Sequence, residues 1–95
     1  MIYLKELGFD DQTINMIKEN LPKNAISKLE KEQDTVINNI KYIKELGVQN
    51  YIDAFIKFYN MFLLDNKTFD EIFSKYDRED LIAKMEKNIA IMEYL

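Results

Sequence analysis

The chain has no cysteine, no histidine and no tryptophan, and only one proline and two glycines. Without cysteine there is no disulfide framework, and without cysteine or histidine the usual zinc ligands are missing. Nucleophilic catalysis commonly sets Ser, Cys, Thr or Lys beside a histidine base. Ser27 and Ser74 have no such base, and neither sits in a glycine-rich elbow. A di-metal carboxylate bundle would carry Glu-x-x-His, and a phosphate-cradling loop would need clustered glycines; the chain has neither. Arginine, the side chain best shaped for bidentate phosphate or guanine contacts, occurs once, as Arg78. No apolar run approaches the ~18 residues that span a bilayer, and the N-terminus lacks the apolar stretch of a secretory signal. These absences predict a cytoplasmic, non-catalytic protein without cofactors and without a membrane partner.

What is present favours helices. Little turn chemistry remains once proline and glycine are so scarce, and no stretch alternates at period two for long enough to form a strand. Apolar residues make up 47% of the chain, enough for one compact core in a single domain over residues 1–95. The net charge is −4, with Lys and Asp or Glu interleaved nearly everywhere, a field that repels duplex nucleic acid unless the basic side chains are segregated onto one face.

The most informative feature is a repeat. Tyr3-Leu4-Lys5-Glu6-Leu7-Gly8-Phe9 returns as Tyr42-Ile43-Lys44-Glu45-Leu46-Gly47-Val48, and these copies contain both glycines. A weaker third copy, Asn88-Ile89-Ala90-Ile91-Met92-Glu93-Tyr94-Leu95, echoes Asn39-Ile40-Lys41-Tyr42-Ile43-Lys44-Glu45-Leu46. A period of roughly 40 residues marks helical repeats, whose units cannot bury their apolar faces alone. The units run from about 3 to 41 and 42 to 90, with a third beginning at 91–95.

The local signals predict five to six helices in an all-α repeat or bundle. A short helix over 2–7 stops at Gly8, and a second over 11–20 follows a cap at Asp10 or Asp11 and ends before Pro22. A third, capped by Asn24, runs unbroken to Leu46, with Ile26, Leu29, Val36, Ile37, Ile40 and Ile43 on its apolar stripe and Gln33 continuing it. Asn50 caps a fourth over 51–64, whose polar side chains Asp53, Lys57 and Asn60 form one narrow strip. Thr68 and Glu71 match a capping box for a fifth helix ending near Tyr76. Asp77 caps a sixth over 78–95.

The Leu-Gly-apolar turns resemble the mitochondrial transcription termination factor family. The matching segments are Leu4-Lys5-Glu6-Leu7-Gly8-Phe9 with Leu21-Pro22, and Ile43-Lys44-Glu45-Leu46-Gly47-Val48; Met61 stands where a second proline would fall. The resemblance implies stacked helical repeats and, through the family's basic concave surface, nucleic-acid binding. It transfers no individual binding residue, and this chain is short and acidic.

Two candidate surfaces emerge. Tyr51, Phe55, Phe58, Tyr59 and Phe62 follow helical spacing and form a wide aromatic stripe. Such a stripe is a core face first, and a docking face for another protein or a second copy where it stays exposed. Asp65, Asp70, Glu71, Asp77, Glu79 and Asp80 supply an acidic stretch, with Asp77 and Asp80 its centre. Carboxylate pairs such as Glu30 with Asp34 or Asp77 with Asp80 read as solvated faces and helix caps. The functional expectation is a protein-interaction module, including a small acidic inhibitor or adaptor of the kind some phages and plasmids direct against basic surfaces. The alternative is a nucleic-acid-binding module. It would use a helix-turn-helix over 68–87 or a lysine stripe of Lys28, Lys31, Lys41 and Lys44 on the long helix.

Overall fold

A computed structural model describes Met1–Leu95 and contains helices only. Six are α-helical: α1 Asp11–Asn20, α2 Lys23–Lys31, α3 Gln33–Leu46, α4 Tyr51–Lys57, α5 Asn66–Ser74 and α6 Arg78–Lys87. Three 3-10 segments, Ile2–Leu7, Tyr59–Leu63 and Ile89–Tyr94, complete the chain. The all-α expectation holds, with more and shorter elements than the sequence suggested.

The two glycine corners have the same construction. Gly8 takes φ 101° and Gly47 φ 108°, the left-handed region that a side chain strains. At the first corner Gly8 N–H donates to the Lys5 carbonyl and Phe9 N–H to that of Leu4. At the second, Gly47 N–H donates to Lys44 and Val48 N–H to Ile43. Both are Schellman closures, each with a buried apolar residue (Phe9, Val48) just past the glycine. Burial follows the repeat as well: Met1, Ile40 and Ile89 are buried at one position, and Leu4, Ile43 and Met92 at another.

Three expected boundaries move. The long third helix divides at Glu32, where ψ turns to 31°, and α2 starts after Pro22 rather than at a cap by Asn24. Between Leu29 and Val36 every side chain is polar, so no apolar contact holds that stretch straight; Gln33 is exposed and does not extend the stripe. The fourth helix stops at Lys57. Phe58 leaves helical geometry (φ −129°, ψ 40°) and a 3-10 segment follows. The buried Asn39 anchors the segment beyond the break: its Nδ2 donates to the Phe62 carbonyl at 2.9 Å and to that of Leu64 at 2.8 Å. The sixth helix stops at Asn88, whose Oδ1 accepts from Ala90 N–H at 3.1 Å, a local bond that competes with the helix ladder.

Caps shift in the same way. Asp10, Asp65 and Asp77 cap α1, α5 and α6, accepting from Thr13, Thr68 and Asp80 N–H at 2.8, 2.8 and 3.1 Å. Thr68 is therefore inside α5 and donates its hydroxyl to Asp65, instead of capping the helix. Asn50 holds the expected N-cap position of α4, but its side chain makes no cap bond; its Nδ2 reaches across to the Met85 carbonyl at 3.0 Å.

The core is threaded by phenylalanines. Phe9, Phe55, Phe62, Phe69 and Phe73 follow one another with ring centroids 5.5, 5.3, 5.2 and 4.7 Å apart, edge-on or tilted. This line links the first glycine corner to α4, the central 3-10 segment and α5.

Candidate functional site

Core formation claims much of the predicted aromatic face. Phe55 and Phe62 are wholly buried and present nothing to a partner. Phe58 and Tyr59 are half-buried. Tyr51 is engaged within the fold. Its hydroxyl donates to the Leu7 carbonyl at 2.7 Å, next to Gly8, and the Lys44 ammonium lies 5.2 Å from its ring. The stripe is therefore split, because ending α4 at Lys57 rotates the following side chains off its face.

The acidic candidates also carry local structure. Asp77 is the α6 cap, and Asp80 pairs with Lys84 at 3.0 Å one turn on. Asp65 caps α5, and the Thr68 backbone and side-chain hydrogen bonds lower its pKa. Asp70 stands beside Tyr42, whose pKa is raised by burial first and by Asp70 second. No group of three or more carboxylates is gathered where a metal ion could sit.

The nucleic-acid elements are separated or engaged. The break at Glu32 divides Lys28 and Lys31 on α2 from Lys41 and Lys44 on α3. The outline of two helices with a tight turn is present in α5 and α6, but Arg78, exposed at its expected reading position, is engaged with the end of α3. Its Nε donates to the Leu46 carbonyl at 2.8 Å and its Nη2 to Glu45 at 3.3 Å. Tyr51 on Leu7 and Arg78 on Leu46 thus do the same work at equivalent repeat positions. Each satisfies a carbonyl that a helix end leaves without an internal partner. Sequence patterns show neither pairing, because the partners lie 44 and 32 residues apart.

Several shallow surfaces remain open, and one of them is mainly apolar. A groove of about 400 Å³ runs between the last turn of α6 and the C-terminal 3-10 segment, with Ala90, Ile91 and Tyr94 supplying its mainly apolar lining and Lys84 and Lys87 at its edge. Tyr94 is 81% exposed, the most exposed of the chain's large apolar side chains. A somewhat larger depression on α1, about 490 Å³, has Met16 as its single apolar side chain among Gln12, Thr13, Asn15 and Glu19. Chemistry rather than size favours the first, since docking surfaces need an apolar floor with aromatic anchors. The sequence signal for it was the weak third repeat copy.

No protein-family model, curated protein or solved structure matches this chain.

Proposed function

We propose that this chain is a non-catalytic protein-interaction module that docks its partner in the groove beside Tyr94. The observation that carries the reading is the aromatic ring left 81% exposed over an apolar floor, on a chain whose other aromatic rings are buried or packed against the core apart from Tyr76. An exposed tyrosine with an apolar body and a polar tip is the kind of side chain that anchors interfaces. The acidic stretch around Asp77 and Asp80 has less support as the docking surface, because both side chains already serve α6. Duplex binding has less support than protein binding, because the one arginine caps α3.

A photo-crosslinking residue in place of Tyr94, compared with the same residue in place of the exposed Gln12, tests the proposal in cells. A discrete protein adduct at position 94, lost when Ile91→Asp is added, is the expected result. Equal labelling at both positions, or tight, salt-sensitive binding of duplex DNA by the unmodified chain, overturns it.

A further inference from the structure

We infer that the chain can exchange its residues 1–31 with a second copy, by straightening at Glu32 into one helix that runs from α2 through α3. The inference is independent of the groove beside Tyr94 and rests on how the elbow at Glu32 is built.

The corners at Gly8, Pro22 and Gly47 carry residues that end or begin helices. The elbow carries none. Lys31, Glu32 and Gln33 are good helix formers, and the spacing of Ile26, Leu29, Val36, Ile37 and Ile40 suits one continuous helix. Both flanking helices already bond to Glu32: its N–H donates to the Lys28 carbonyl at 2.9 Å, and its carbonyl accepts from Val36 N–H at 3.1 Å. Glu32 stands at φ −103° and ψ 31°, so helical geometry lies about 40° away in φ and about 70° in ψ at this one residue. The side chains from Glu30 to Asp34 are exposed, so straightening there displaces nothing from the core. In an unbroken helix Gln33 N–H would donate to the Leu29 carbonyl; here that carbonyl accepts the Tyr3 hydroxyl at 2.8 Å. Local sequence thus favours the straight form, and tertiary contacts impose the bent one.

Those contacts select the partner. The first 3-10 segment packs on α3 across the elbow. The Leu7 carbonyl accepts from the Tyr51 hydroxyl at 2.7 Å and the Lys44 ammonium at 3.5 Å, and the Phe9 ring lies 5.5 Å from that of Phe55. Straightening parts these groups and exposes Leu4, Leu7 and Phe9 on one side and Ile43 and Phe55 on the other, all of them buried in the closed chain. The complement of each exposed surface is the other surface of the same sequence. A second open copy therefore restores all of these contacts in a closed two-fold dimer. Opening costs those contacts before the dimer regains them, so the closed monomer prevails at micromolar concentration and exchange proceeds through partial unfolding at high concentration.

Refolding from denaturant at millimolar concentration, followed by dilution and mass measurement by light scattering, is expected to give a dimer beside the monomer. Glu32→Ala should raise the dimer fraction and Glu32→Gly lower it; the side chain is exposed, so neither substitution touches the core. Alanine and glycine differ about fivefold in preference for a helix interior, and each exchanged dimer holds two straightened elbows, so the two dimerisation constants should differ about 25-fold. The form of the dimer is read from spin labels on Lys23→Cys and Lys41→Cys, two exposed positions on a chain without native cysteine. With labelled chains diluted into unlabelled ones, the distance within one chain of the dimer should be that of a continuous helix, about 27 Å between backbones, and longer than in the monomer. A dimer that keeps the monomer's distance, or one abolished by Tyr94→Ala, is a surface contact and overturns the inference. Equal dimer formation by the alanine and glycine variants overturns it as well, as does the absence of dimer from both variants and the unmodified chain.

Discussion

A methyl group at Gly8 and one at Gly47 meet different neighbours, although the two residues share φ and hydrogen bonds. At Gly8 it runs into the hydroxyl of Tyr51, which is held on the Leu7 carbonyl. At Gly47 its nearest neighbour is the tip of Ile82 at 3.2 Å, the flexible end of a side chain. Left-handed geometry alone costs an L-residue about 1–2 kcal/mol, so Gly47→Ala is expected to lose about that much. Gly8→Ala must lose more, because the clash also breaks the Tyr51 hydrogen bond; denaturant midpoints of the two variants check the order. Asn39 is the second sensitive residue. Its Oδ1 accepts from Asn66 at 2.8 Å while its two amide hydrogens hold Phe62 and Leu64. Asn39→Leu keeps the shape and orphans these groups, for an expected loss of about 2–4 kcal/mol by chemical denaturation. Leu46→Ala should cost less than Phe55→Ala, since Leu46 is only half-buried and Phe55 has no exposed surface.

At the scale of the element, acidic caps define where helices begin. Asp10 and Asp65 have pKa values lowered by hydrogen bonds from Thr13 and Thr68, so each contributes stability above the unfolded carboxylate value near ~3.9. That contribution is lost as pH falls through the folded values. The melting temperature is therefore expected to hold from neutral pH down to about 5 and to drop in the acid range below it. The drop should be smaller in the Asp10→Asn, Asp65→Asn double variant, whose caps do not titrate. Tyr3 and Tyr42 act with the opposite sign. Their raised values mean that stability is fully present below the ordinary tyrosine value near ~10 and declines as pH rises beyond it. Tyr3→Phe should flatten that alkaline decline. Arg78 shows what an element gains from its neighbour: its fork closes the end of α3 from the first residue of α6. Arg78→Lys, lacking the planar fork, is expected to loosen that junction and lower the melting temperature.

For the whole molecule, area and shape agree. The accessible surface is 6001 Å², against about 5,800 Å² for an isolated monomer of this mass, and the radius of gyration is 12.8 Å, against about 12 Å for a compact domain. No large face is left awaiting a permanent partner, so sedimentation at micromolar concentration is expected to give a single species of monomer mass. A groove of this size suits a short segment and a reversible complex. No helix is long and apolar enough to cross a membrane.

Helix content, the two glycine corners and the three-fold recurrence of buried positions were legible in the amino acids, because they depend on neighbours within a turn or two. The polar strip Asp53, Lys57 and Asn60 was legible for the same reason, and all three side chains are exposed. The break at Phe58 was not, since no proline or glycine stands in 51–64 to mark it. The role of Phe55 and Phe62 was likewise open: spacing puts them on one stripe, but only packing against Phe9 and Phe69 decides that this stripe faces inward. By itself the sequence determined an all-helical chain of related corners, through short-range hydrogen bonding and apolar period. Which faces were left over was a tertiary decision, because a surface is free only after every other helix has taken its place: α2 packs on Tyr3 and α5 on Tyr42, contacts between residues far apart in the chain.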